Sequence, residues 1–190
     1  MSGALFADVF HAHQFLTMFN VMSSDPLWLW ARRGTIVFSK RGLQLERALL
    51  VCPSFTESLG VTLPVLNVVF AWPSEASEEV AFEVHLQDNS SDSSCRVLRF
   101  SSACKRPMAS PDFTCLPLRQ VLVDSSAETA PAQGQLLFVR MDLAKMVARY
   151  CKHVEYRATH RIVVQGSLLL RFVFFSSTAT AVDALPVEFR

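Results

Sequence analysis

The sequence has few charged residues and almost no excess of either sign. Only 18% of its 190 residues are charged, and 18 Lys and Arg against 17 Asp and Glu leave a formal net charge of +1. This balance excludes a global basic surface, so contact with nucleic acid would need a local cluster of cations. Glycine is scarce too, with 6 residues against 15 phenylalanines, and 51% of the chain is hydrophobic. The composition therefore predicts a large buried core and densely packed sheets.

The sequence also lacks a convincing membrane segment. Its longest uncharged stretch, residues 58–74, is short for a span and is interrupted by Pro64, Asn67 and Pro73. A buried pair of strands explains this stretch better. The first residues carry neither the charged nor the apolar region of a signal peptide. We therefore expect an intracellular protein with no membrane partner.

The cysteines form no framework that their spacing reveals. Their number is odd, and the spacing fits neither a zinc site nor a set of disulfides. Reduced thiols in an intracellular protein are the expectation, and a Cys95–Cys104 or a Cys104–Cys115 bridge stays open. The five are Cys52, Cys95, Cys104, Cys115 and Cys151.

Catalytic motifs are missing as well. There is no phosphate loop, nucleophile elbow or dinucleotide fingerprint. Cys151 and His153 are two apart on a predicted helix, so their side chains diverge. His11 and His13 are likewise too close in sequence to share one helix face, and no third ligand is near them. We expect a binding module that is not an enzyme and holds no cofactor or metal, with a small enzyme of unknown class as a minor alternative.

Hydrophobic spacing predicts a helix and a hairpin at the start of the chain. A helix over residues 10–22 would place Phe15, Met18, Phe19 and Met22 on one face. Strands over 27–30 and 35–38 would follow, joined by a tight turn at residues 32–34. A further turn is predicted at 40–42, and residues 43–52 read as a strand, although 45–49 also fits a helix.

The remaining elements alternate between strands and polar loops. Pro64 limits a strand over 61–72 to a sheet edge or bulge, strands 80–86 and 96–100 form a hairpin, and 103–117 and 124–135 are loops. A helix over 142–153 is capped by Asp142. It follows a strand over 135–140 and precedes strands over 161–164 and 168–175, which join at a turn at 165–167, and a last strand over 181–189. The second loop divides the chain into 1–123 and 136–190, and a single domain remains open.

Two groups of cations stand out against the neutral background. On the predicted last helix, Lys145, Arg149 and Lys152 recur on one face, opposite a buried apolar stripe. Such a stripe can bind phosphates without reading sequence, and an ordinary solvated face is the alternative. The second group surrounds the predicted hairpin, where it would contact nucleic acid or an acidic partner, or simply keep a turn in solvent. Its members are Arg32, Arg33, Lys40 and Arg41.

The two ends of the chain resemble a known family. The order strand, helix and hairpin at residues 5–38 resembles the opening of a sliding clamp, as in proliferating cell nuclear antigen. Residues 138–145 are similar to the strand and helix that begin the last unit of a clamp. Residues 163–172 and 184–187 resemble its closing strands. The likeness covers about residues 1–40 and 135–190, whereas 53–134 departs from the pattern. A divergent or reduced clamp, a checkpoint clamp or a viral processivity factor is therefore implied.

The resemblance implies a fold and a site. The fold would be α+β, antiparallel and β-rich, with about two helices packed on one sheet face. Lys145, Arg149 and Lys152 would then line a basic inner surface that contacts DNA. The matching positions of the first helix carry little fixed charge, so a scaffold that kept the fold but lost DNA contact is also implied. Those positions are His11, His13, Gln14, Thr17 and Asn20.

Two functions follow from this reading. The first is a DNA-associated, clamp-like scaffold in replication, repair or checkpoint control, which would be nuclear and would take duplex DNA as its partner. The alternative is a protein-interaction or assembly subunit without nucleic acid, in a homo- or hetero-oligomer. The alternative predicts an exposed apolar patch or a free sheet edge that a partner covers.

Overall fold

The computed structural model describes residues 5, 14–54, 57–72, 78–89, 95–123, 134–151 and 154–186. In this part of the chain there are eleven strands and one α-helix, α1 (Leu143–Tyr150), besides two short 3-10 segments. The strands are β1 (Phe15–Asn20), β2 (Ala31–Ser39), β3 (Gly42–Cys52), β4 (Val65–Ala71), β5 (Ala81–Asp88), β6 (Cys95–Ser101), β7 (Met108–Ala109), β8 (Phe113–Pro117), β9 (Leu122–Val123), β10 (Leu136–Asp142) and β11 (Tyr156–Ser176).

Strand β11 is the centre of the sheet and pairs directly with four other strands. On one side its first half pairs with β5 and its second half with β4, whereas β3 and β1 pair along its other side. The sheet extends from β5 through β6 and β8 to β7, and from β4 through β10 to β9. β5 and β4 follow each other along one side of β11, and the sheet as a whole curls into a half-barrel. Every described pair is antiparallel except β6 with β8.

A glycine in the middle of β11 allows this long strand to form. Gly166 has φ +117°, and a Cβ there would overlap the carbonyl oxygen of Glu79. The register with β3 shifts between Gly166 and Leu168, where the strand bends. Only a residue without a side chain accepts both the backbone angle and the close approach.

The core lies mainly inside the curl of the sheet. Phe70 and Phe82, on β4 and β5, meet edge to face with ring centroids 5.3 Å apart. A smaller cluster of Val69, Phe138 and Phe174 packs on the other face of β4 and its neighbours. Every residue of β4 is buried because both of its faces are covered.

Helix α1 begins where the sequence predicts its cap. The Asp142 carboxylate accepts a hydrogen bond from the Lys145 backbone N–H at 3.1 Å, as an N-cap residue does. Leu143 and Val147 are buried, and the Leu143 N–H donates to the Pro64 carbonyl at 2.8 Å. The helix ends at Tyr150, three residues before the predicted end.

The predicted fold class, an α+β clamp with about two helices on one sheet face, is wrong, because the protein is mostly β. The predicted helix over 10–22 is instead β1 where the structure describes it, from Phe15 onward. The register of β1 shifts between Thr17 and Phe19. This bulge turns both Met18 and Phe19 inward, which imitates helical spacing.

The predicted first hairpin is also wrong in position. Residues 27–30 form a turn, and residues 32–34 lie within β2. Gly34 has φ +91° at a bulge, where a Cβ would lie 2.8 Å from the Arg47 carbonyl oxygen. The hairpin turn joins β2 to β3 at Lys40 and Arg41, where the second predicted turn stands, and the strand interpretation of 43–52 is confirmed.

Four further predictions are wrong. β4 is central, between β10 and β11, because Pro64 precedes the strand and removes no ladder hydrogen bond. The predicted turn at 165–167 lies within β11. The predicted loop over 103–117 contains β7 and β8, and a 3-10 segment stands at Val182–Ala184, where a last strand was expected. The loop over 124–135 falls largely outside the described residues.

One predicted hairpin is present, and the strands of the two predicted halves of the chain pair with each other. The hairpin of β5 with β6 is confirmed. β10 and β11, from the predicted C-terminal half, pair with β1, β3, β4 and β5 of the first half.

Replacing Gly166 by Ala should destabilise the protein strongly, by about 2–4 kcal/mol, because the added Cβ meets backbone that cannot move away. Gly134→Ala is the matched control. Gly134 also has a positive φ, +73°, but a Cβ there meets nothing within 4 Å, so only about 1 kcal/mol should be lost. Urea unfolding of the two variants measures the difference, and equal losses would contradict the proposed role of Gly166.

Candidate functional site

The structure does not turn the predicted basic stripe of the last helix into a free cationic surface. The Lys145 ammonium forms an ion pair with Asp142 at 2.8 Å, and the Arg149 guanidinium lies 5.4 Å from the centre of the Tyr150 ring. Lys152 and His153 lie outside the described residues, as do His11 and His13. Thr17 and Asn20 belong to β1, so no second helix faces α1 in the described chain.

The other predicted cations surround an open strand. β2 pairs with β3 on one side and with no described strand on the other. It is the longest edge strand in the described part of the chain, since β1 has 6 residues and β7 and β9 have 2 each. A strand edge offers a row of backbone N–H and C=O groups to a further strand.

Both faces of this edge are apolar near its middle. Phe38 pairs with the buried Leu43, so it points to the core side of the sheet, and Val37 pairs with the exposed Gln44 on the outer side. Phe38 is nevertheless 48% exposed and Val37 is 49% exposed. β2 therefore projects beyond the core and leaves hydrophobic surface uncovered on both sides of the strand.

Cations occupy the two ends of β2. Arg32 and Arg33 are exposed near its start, and Lys40 and Arg41 are exposed in the turn that follows it. None of the four makes an ion pair with the described part of the chain, in contrast to Arg47, which binds Glu78 at 2.8 Å. The structure thus brings these four predicted residues together along one strand.

The loop that leads into β2 presents a tryptophan from a firmly held backbone. Trp28 is 63% exposed although Leu27, Leu29 and Trp30 around it are buried. The indole N–H of Trp30 donates to the Met18 carbonyl at 2.9 Å, and the Leu29 carbonyl accepts from Ser54 at 2.8 Å. An exposed Trp on an ordered loop is a frequent anchor of protein interfaces.

A groove runs along the outer face beside the same strand. Its volume is about 870 Å³, and its lining includes residues of β2, β3 and β11 together with Trp72 and Glu78. Ser39 and Arg41 stand at the end nearest the hairpin turn.

A serine–histidine contact lies elsewhere in the molecule. Ser58 Oγ and His160 Nδ1 are 2.5 Å apart. Burial, with nearby His85 and Arg161, lowers the pKa of His160. A catalytic serine–histidine pair needs a third group that orients the histidine. The carboxylate of Glu83 does not orient His160, because it contacts a different histidine, His85, at 3.7 Å. Among the described residues no three His, Cys, Asp or Glu side chains are grouped as metal ligands.

An ionic cluster stabilises the outer face of β5 and β6. Arg99 binds Glu79 at 2.8 Å and also contacts Glu83. A hydrogen bond from Ser101, followed by that from Arg99, lowers the pKa of Glu79. Nearby His85 and a hydrogen bond from Arg99 lower the pKa of Glu83. These carboxylates are satisfied within the fold and are therefore structural.

The fold and site together define a mostly β protein with an open, basic-ended sheet edge. A family model, the CFA20 domain, matches residues 8–190. The chain therefore belongs to the CFA20-domain family. No curated protein matches the chain significantly. In the described part of the chain, no helix has the length and apolar character needed to cross a membrane.

This family corrects the predicted resemblance. The chain is not a sliding clamp of the type of proliferating cell nuclear antigen, a checkpoint clamp or a viral processivity factor, because the match is to the CFA20 domain. The features taken for the clamp's first helix and for its closing hairpin are β1 and the continuous β11. Sequence reasoning also missed the exposed Trp28 and the edge of β2. The run Ile36-Val37-Phe38 between two basic pairs was a signal that could have indicated that edge.

Acid should destabilise the protein through the Arg99 cluster. A carboxyl whose pKa is lowered by folding adds stability above its unfolded-state value, about 4.5, and this stability disappears as pH falls through the folded value. The free energy of unfolding should therefore decrease below about pH 4.5. In Glu79→Gln/Glu83→Gln it should be lower at pH 7 and decrease less in acid. Urea unfolding between pH 7 and pH 3 measures this, and an unchanged acid slope would contradict it.

The two neighbouring tryptophans should differ sharply in their effect on stability. Trp28→Ala should change the free energy of unfolding by at most about 0.5 kcal/mol, since the side chain is exposed. Trp30→Phe should cost about 1–3 kcal/mol because it leaves the Met18 carbonyl without its buried donor. Thermal unfolding of both variants tests the assignment, and a larger loss for Trp28→Ala would refute it.

Proposed function

We propose that the chain is a non-enzymatic protein-interaction module that binds an extended segment of another protein as an additional strand on β2. The observation that carries this proposal is the open edge of β2, nine residues long, with Val37 and Phe38 half-exposed on its two faces. Main-chain hydrogen bonds would supply affinity, and the side chains of the two faces would supply selectivity.

Near its start this edge has a bulge at Gly34, which is one usual protection against strand addition, but its apolar centre has none. Natural edge strands are blocked by Lys, Pro or inward-pointing charges, or are very short. Residues 34–39 carry neither charge nor proline. The protective charges stand only at the ends, so the middle remains open to a partner.

The edge is also held in place before a partner arrives. β3, which carries β2, pairs along its other side with β11. Leu43, Leu45 and Leu50 of β3 are fully buried. A prearranged strand reduces the entropy lost on binding.

Contact of this chain with duplex DNA is not part of the proposal. The expectation of DNA contact rests on the resemblance to sliding clamps, and so does the expectation of a nuclear location. The two described cations of the α1 stripe are engaged by Asp142 and Tyr150. Assembly with a protein partner, the alternative function from the sequence, predicts a free sheet edge of the kind that β2 has.

The test uses variants that close the edge of β2 without disturbing the core. Val37→Lys/Phe38→Lys places gatekeeper charges at half-exposed positions, and Met108→Lys is the matched control on a different edge strand, β7. Peptides selected on the wild-type protein from a displayed random library should bind Met108→Lys unchanged and lose about tenfold or more in affinity for the double variant.

Thermal unfolding checks that both variants remain folded. Selected peptides that bind the folded Val37→Lys/Phe38→Lys variant as tightly as wild type would refute the proposal. So would a selection that yields no binding peptide.

A further inference from the structure

We infer that the segment bound along β2 is acidic, with anionic residues at both ends of a short apolar stretch; this rests on the proposed function of the β2 edge. The hairpin from Ala31 to Arg47 carries five cations and one anion, Glu46. In a protein of net charge +1, this excess is local to the candidate site. The charge is therefore a property of the edge and not of the chain as a whole.

The four cations that flank β2 form no ion pair with a carboxylate of the described chain, whereas several cations elsewhere do. Elsewhere Arg96 binds Asp88 at 3.1 Å, Arg99 binds Glu79 and Lys145 binds Asp142. Arg32, Arg33, Lys40 and Arg41 have no such pair among the described residues, and all four are exposed. A partner with carboxylates would supply the missing partners, steer the encounter and fix the register.

Their spacing defines the segment that fits. Lys40 lies seven positions after Arg33, which is about 23 Å at roughly 3.3 Å per residue. A partner of about ten extended residues would reach both ends. Its central residues would lie opposite Ile36, Val37 and Phe38, and should therefore be apolar or β-branched.

A second copy of the chain is a poor occupant. Antiparallel pairing of two β2 strands centred on Ile36 would set Arg32 of one copy opposite Lys40 of the other. Like charges opposite each other in a sheet are destabilising. The edge therefore discriminates against its own copy and favours a segment of opposite charge.

Nucleic acid is also a poorer occupant than a peptide. Its phosphates could bind the cations at the ends of β2. They would not form the hydrogen-bond ladder of an added strand or cover the apolar side chains of Val37 and Phe38. An acidic peptide uses the cations, the apolar residues and the backbone together.

The experiment measures binding of labelled peptides to the whole chain by fluorescence anisotropy. The probe has about ten residues, with two glutamates at each end and Val, Thr and Ile between them. One control peptide has Gln in place of Glu, and another has Lys. The Glu peptide should bind about tenfold or more tightly than the Gln peptide, with an affinity that falls as salt rises, and the Lys peptide should bind weakest.

Charge reversal on the protein makes the test specific. Arg32→Glu/Arg33→Glu and Lys40→Glu/Arg41→Glu should each weaken the Glu peptide about tenfold, and the four-residue reversal should prefer the Lys peptide. Lys105→Glu/Arg106→Glu is the matched control, since these exposed cations lie between β6 and β7. It should leave binding unchanged.

Failure of this inference can be told apart from failure of the proposed function. Equal binding of the Glu and Gln peptides, abolished by Val37→Lys/Phe38→Lys, would overturn the acidic partner and keep the docking edge. Absence of binding by all three peptides would overturn both. If a duplex oligonucleotide displaced the Glu peptide, the acidic-peptide inference would be overturned in favour of a phosphate ligand. If the chain self-associated and Val37→Lys/Phe38→Lys abolished this, the inference would be overturned in favour of a second copy.

Discussion

The close approach of Gly166 to the backbone of Glu79 and Val80 is the constraint on which the sheet depends. It allows β11 to continue for 21 residues and to pair with β5 and β4 on one side and with β3 and β1 on the other. Most ladder positions in the centre of the sheet are satisfied in this way. The backbone N–H and C=O groups that stay unpaired lie in the strands at the edges of the sheet. The longest edge strand in the described part of the chain is β2.

The periphery then determines what the domain can do. The short strands β7 and β9 offer little backbone, and β1 has 6 residues, of which half are buried. β2 combines a long edge with exposed apolar residues on both faces, and with cations at both ends that form no ion pair within the described part of the chain. A surface of this kind stays soluble because the charges surround the apolar stretch. It remains available for a segment that satisfies backbone, apolar and charged groups at once.

Local chemistry was readable from the sequence, whereas topology was not. Asp142 as a helix cap, the turn at Lys40 and Arg41, and the β5–β6 hairpin depend on neighbouring residues and were predicted. The bulge at Thr17 and Phe19 converted a strand into an apparent helix, and Gly34 and Gly166 were interpreted as turn residues. Each glycine occupies a bulge whose close contact comes from a distant segment, which no local pattern contains. The false family resemblance followed from these errors.

The candidate site could be predicted only in part, because its residues are read from local sequence but its position depends on strand pairing. Arg32, Arg33, Lys40 and Arg41 were identified as a cluster, but their position along one open strand depends on pairing between β2 and β3. Amide hydrogen exchange of the protein with and without the acidic peptide tests the docking edge most directly. We expect slowed exchange concentrated in residues 31–39. Slowed exchange in α1 or around β7, with β2 unchanged, would contradict the account.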